Sequence, residues 1–168
     1  MPLPEPDSRL YTVDGGVLSL SGHGLRVLLR TVVSRGVAFR FTARGLSMQP
    51  FIRDGDVITV APLSRRPRRG DVLAVCNPVS ERLVVHRVVA VAGEVYVTRG
   101  DNTDREDGPA HLADVVGRVV AVERAGRRVR LGHGPEGALI AAAQRHGWLA
   151  PAVRRAVGLS RLVKGWTQ

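Results

Sequence analysis

The spacing of apolar residues changes along the chain, and each change predicts a different kind of element. In GLRVLLRTVVSRG, residues 24–36, Leu25, Leu28, Leu29, Val32 and Val33 recur at the three- and four-residue intervals of one helix face. Arginines lie on the other face, and Gly36 suits a helix stop. VAFRFTARG then alternates Val37, Phe39 and Phe41 with smaller or polar neighbours, the two-residue period of a half-buried strand. Valine-rich runs at 57–61, 71–76, 82–92, 94–98 and 115–123, separated by RRPRRGD, NPVS and AGE, predict further strands joined through turns. ERAGRRVRLG predicts one more hairpin. After it the chain becomes alanine-rich, and two helical pieces are expected to meet near Gly147 to Pro151. The second sets Leu149, Val153, Val157 and Leu162 opposite Arg154, Arg155, Arg161 and Lys164.

These patterns divide the chain into residues 1–36, a proline-rich acidic lead-in (to about residue 15) followed by the amphipathic helix; 37–132, a mainly β domain; and 133–168, a basic helical extension. With 168 residues the chain is the size of one domain with an appended segment. The start has no basic region followed by an apolar one, as a secretory signal would, and no run of about 18 apolar residues occurs. The expected location is the cytoplasm, or the membrane face as a peripheral protein. Cys76 is the single cysteine, so no internal disulfide exists; it reads as an apolar filler in DVLAVC.

Charge refines the picture of the extension. The formal net charge is +10, and from Arg124 onward nine basic residues face one acid, Glu136. Such a segment is solvated, docks on its own domain or lies peripherally on an anionic membrane, and docking is favoured because most amphipathic helices complete a core. Nucleic acid is disfavoured as a partner: aromatics are 4% of the chain, and no basic stretch is interleaved with them for base stacking. Of 25 basic residues only Lys164 is lysine. Because arginine stays protonated, a general base in the first 163 residues has to be histidine or a carboxylate.

ARGLSMQPFIRDGD places Ser47 between Leu46 and Met48 ahead of an acidic turn. A serine hydroxyl is a weak nucleophile until a positioned base takes its proton. Four histidines have loop or helix-end contexts: His23, His111, His133 and His146. His86 lies inside RLVVHRVVAV, a strand pattern in which a lone histidine is more often structural than catalytic. In TRGDNTDREDGP, residues 98–109, four acids crowd into what reads as a loop. It lacks the glycine and terminal glutamate of an EF-hand, and no metal or cofactor is expected.

SMQPFIRDGDVITV, RRGDVLAV, VVHRVV and RGDNTDRED, in that order over about residues 39–122, resemble the boxes of the type I signal peptidase superfamily, which includes the self-cleaving SOS-type repressors. The resemblance implies a mainly β signal-peptidase-like, repressor-C-terminal-domain-like fold with a short N-terminal helix and a C-terminal helical extension. It implies Ser47 as nucleophile and His86 as general base. Where bacterial members carry a lysine, His86 resembles the endoplasmic-reticulum and archaeal type. Asp101 and Asp107 keep that type's six-residue spacing; the pattern favours Asp107 as the acid that orients His86, with Asp101 holding the loop or sharing the role. Gly45 stands where many signal peptidases have a serine, so the oxyanion would rest on backbone N–H groups around Gly45 and Ser47. Thr103 replaces the usual second asparagine, and the transmembrane anchor of membrane-bound members has no counterpart. The implied function is a serine endopeptidase of the signal peptidase type, cutting after small residues in an extended leader or signal peptide. The alternatives are a self-cleaving repressor-like peptidase, disfavoured because no Ala-Gly or Cys-Gly precedes Ser47, and a non-catalytic module binding nucleic acid or anionic membrane through its basic tail.

Overall fold

The computed structural model describes residues 11–14, 17–20, 22–77, 82–129 and 132–145. An N-terminal hairpin of β1 (Tyr11–Asp14) and β2 (Val17–Leu20) leads into helix α1 (Gly22–Ser34). β1 corrects the expected loose lead-in, which gives way to paired backbone at Tyr11. The strands β3 (Phe39–Thr42), β4 (Val57–Ala61), β5 (Val72–Cys76), β6 (Leu83–Ala92), β7 (Val95–Arg99), β8 (Glu106–His111), β9 (Val115–Arg124) and β10 (Arg127–Val129) form one antiparallel sheet, and α2 (Gly137–Arg145) follows. Most strand expectations match within a residue or two. The acid-rich stretch does not: its second half, Glu106–His111, is the edge strand β8. The second expected helical piece, with the Gly147 to Pro151 junction and His146, lies outside the described residues.

The sheet runs β3-β4-β9-β5-β6-β7-β8, with β10 beside the end of β9. All five residues of β5 are buried because both faces of this central strand are covered. Val72, Ala74 and Cys76 join the larger core with Leu29 and Val33 of α1, Met48, Ile52 and Ile58. Leu73 and Val75 project the other way, into a smaller cluster with Val88 and Ala110. Burial raises the Cys76 thiol above its ordinary pKa, as befits a packing residue.

Two interruptions of strand pairing shape the region around His86. β6 pairs with β5 from Leu83 to Arg87, whereas on its other side pairing with β7 begins only at Arg87. Among the described residues the first residues of β6 therefore keep one edge unpaired. Between β7 and β8 the register slips: Val97 faces Pro109 and Arg99 faces Glu106, so Asp107 and Gly108 together oppose Thr98. The extra residue is a β-bulge, and Gly108 takes the positive φ of 74° that such a kink uses.

Candidate functional site

Ser47 sits in a turn fastened from three directions. The Gly45 N–H donates to Asp54 Oδ1 at 2.8 Å, and the Gly55 N–H to the Ala43 carbonyl at 2.9 Å. The Asn102 N–H donates to the Ser47 carbonyl at 2.7 Å, and Asn102 Nδ2 to the Leu46 carbonyl at 3.3 Å. Behind the turn, Asp56 accepts from the Arg53 N–H and from Arg124 Nε and Nη2. Burial works to raise the Asp56 carboxyl, but the hydrogen bonds from Arg124 and Arg53 outweigh it and hold that carboxyl below its ordinary value. The acidic turn after the serine is thus a clamp. Gly100 completes it, since a Cβ there would come within 2.7 Å of the Ser47 carbonyl oxygen.

On this frame the serine meets His86. His86 Nε2 lies 3.0 Å from Ser47 Oγ, and His86 Nδ1 lies 2.5 Å from Asp107 Oδ2. An ionised carboxylate only accepts, so Nδ1 carries the ring proton and Nε2 offers its lone pair to the serine O–H. Thr98 Oγ1 donates to the same Asp107 oxygen at 2.8 Å. The register slip explains this meeting. In strict alternation Asp107 would face Arg99 and point away, whereas the bulge turns it to the side of Thr98 and His86.

Asp101 has a different partner. It receives Arg87 Nε at 2.7 Å and Nη2 at 2.6 Å as a bidentate pair, while Arg87 Nη1 donates to the Gly70 carbonyl at 2.9 Å. Arg87 is fully buried, with its guanidinium 5.5 Å from the Phe51 ring centre. A Cβ on Gly137 would stand 3.2 Å from its Nη1, so helix α2 begins on a glycine where it covers this pair. Asp101, expected to hold the loop or to share the orienting of His86, is thus bound to Arg87 in the loop whose Asn102 grips Ser47. Gly45, expected beside the oxyanion, has a partner of its own. Its N–H is already donated to Asp54, and its φ of 98° makes it the hinge of the turn. The Ser47 N–H has no hydrogen-bond partner among the described residues.

None of the other described histidines is hydrogen-bonded to Ser47 Oγ, although His23 lines the same cleft. His23 shares a hydrogen bond with Arg26, His111 is exposed, and His133 packs with its Nδ1 buried and unpaired. Among the described residues no three His, Cys, Asp or Glu side chains converge as metal ligands. A cleft of about 530 Å³ opens over Ser47 and His86 between Phe41–Gly45 on one side and Arg82–Val85 on the other. Among the described residues both walls have free backbone edges, because there β3 pairs only with β4 and the start of β6 only with β5. No described helix is long and apolar enough to cross a membrane.

Sequence reasoning missed three parts of the site: Thr98, the bulge at Asp107–Gly108, and the Arg87–Asp101 pair. Only the last left a clear signal, an arginine inside a valine run, which burial makes costly without an acid. The family model described as Peptidase S24-like matches residues 17–120 of the chain. No curated protein matches it.

Proposed function

The chain belongs to the Peptidase S24-like family, and on that footing we propose that it is a serine endopeptidase of the signal peptidase type, with His86 as the base in place of a lysine. The observation that carries this proposal is the continuous hydrogen-bonded series Ser47, His86, Asp107 and Thr98, whose first two members line an open cleft. In the proposed reaction, an extended peptide lies between the free edges of β3 and β6 and presents a carbonyl carbon to Ser47 Oγ. His86 Nε2 takes the serine proton as the C–O bond forms, and Asp107 stabilises the imidazolium. The Ser47 N–H meets the oxyanion. Collapse breaks the peptide C–N bond, the amine leaves with the proton from Nε2, and a water activated by the same nitrogen hydrolyses the acyl-serine ester. Small residues before the cut suit a substrate held closely between two strands, and a leader or signal peptide is the expected source.

The deciding experiment is cleavage of a peptide library with small residues before the scissile bond, using wild type, Ser47→Ala, His86→Ala and Asp107→Asn. Activity in the wild type that disappears in the first two variants and falls sharply in the third supports the assignment. Equal cleavage by wild type and Ser47→Ala defeats it. Wild type that cuts nothing, but binds anionic lipid or nucleic acid with steep salt dependence, points instead to a binding module. Family membership also admits self-cleavage, for which the test is intact mass after storage at raised pH: constant mass excludes it.

A further inference from the structure

The cleft over Ser47 carries charge of one sign. Arg44, Arg53 and Arg82 stand in its wall beside apolar residues such as Phe41 and Leu83, and no acidic side chain among the described residues lines it. Arg44 has only a loose, exposed contact with Asp54 at 3.7 Å. The guanidinium groups of Arg53 and Arg82 make no ion pair with a described residue, although other surface arginines do so readily, as Arg65 with Asp71 and Arg66 with Glu94 show. Positive charge that outweighs the described acids along a cleft with apolar walls focuses the field on whatever enters it, and here the whole chain adds a net +10.

We propose that this cleft selects an acidic peptide: a segment with small residues at the bond to be cut and Asp or Glu side chains a few positions from it. The proposal rests on the cleft being the peptide-binding site. Arg82 is four residues from His86, and at ~3.3 Å per residue along a strand that is about 13 Å. A paired extended peptide places its own fourth residue from the reacting bond at the same distance. Arg44 and Arg53, three and six residues from Ser47 in sequence, line the same cleft and add to the sign of charge it accepts. Such exposed pairs are individually weak, so selectivity comes from their sum and from repulsion of basic peptides.

The experiment uses labelled peptides of one small-residue core with Glu, Gln or Lys placed three to five residues from the scissile bond on either side. Binding to the Ser47→Ala protein is read by fluorescence anisotropy, and cleavage of the same peptides by wild type is measured alongside. Binding about tenfold or more tighter for Glu than for Lys, with the gap closing as salt rises, is the expected result. Arg82→Glu and Arg53→Glu should invert the preference, whereas Arg69→Glu, outside the cleft, should leave it unchanged. Cleavage and binding that are indifferent to peptide charge overturn the acidic preference while leaving the peptidase assignment standing. Failure to bind or cut any peptide overturns both.

Discussion

His86 and Arg87 are neighbours on one strand, and each pairs with an aspartate from the same short stretch of chain, yet the two pairs are built for different ends. Successive strand residues point to opposite faces, so His86 shares the face of Leu73 and Arg87 that of Val72. Arg87 and Asp101 are sealed beneath α2, Gly70 and Phe51, with a permanent cation held by three hydrogen bonds. His86 and Asp107 keep one side of the ring free for Ser47 and the cleft beyond it. The lesson is a division of labour: the buried pair fixes the loop, and the pair beside the cleft is the one that reaches Ser47. Both are needed because the Arg87 pair holds Asp101, whose neighbour Asn102 grips Ser47.

Changes to each pair should separate these roles. The largest effect is expected from Ser47→Ala or His86→Ala, a fall in kcat/KM of about a thousandfold or more with little change in melting temperature, because each removes a member of one catalytic unit. Assays with the optimal library peptide check the first half and thermal melts the second. Next in size is Asp101→Ala, which strands a buried guanidinium and should lower folding stability by about 3–5 kcal/mol in chemical denaturation. The double change Arg87→Met with Asp101→Leu should recover much of that loss, as replacing both members of a buried pair commonly does. A double variant as unstable as the single one would show that the pair's hydrogen bonds to its surroundings, above all to Gly70, dominate. Thr98→Val should lower kcat roughly tenfold with KM and melting temperature nearly unchanged, since it removes one donor to a charged acceptor.

The smallest effect concerns a histidine outside both pairs. Burial lowers the pKa of His133 below its usual 6.5, with Glu136 opposing and Arg128 and Arg87 reinforcing the shift. Its folded value lies below its unfolded one, so on acidification the unfolded chain takes up the proton first. The contribution is therefore complete above pH 6.5 and lost as pH falls towards the folded value. His133→Phe should flatten the stability curve in that window, measured by denaturant titration at several pH values.

The sequence made the sheet legible because its valine runs carry the two-residue period of strands with buried faces, and the serine and histidine boxes stood out against a chain nearly free of lysine. β8 was hidden because Asp107, Gly108 and Pro109 are turn-forming residues that here belong to an edge strand and its bulge. Thr98 was hidden for the opposite reason, since threonine is an ordinary strand residue and its value lies in where Asp107 arrives. Which of Asp101 and Asp107 meets His86 is visible only in three dimensions, through the bulge and the opposite sense of two neighbouring residues.

That bulge also sets a rule for comparing sequences. Alternation makes chain length a switch, and one residue gained or lost between Glu106 and Pro109 would carry the carboxylate to the wrong face of the sheet. The β6–β7 turn at Gly93–Glu94 is exposed, and an insertion there leaves both faces in place. An alignment that conserves the letters Ser, His and Asp but opens a gap before Pro109 therefore describes a chain whose acid no longer reaches its histidine. Gap position therefore has to be read together with residue identity when copies of this site are compared.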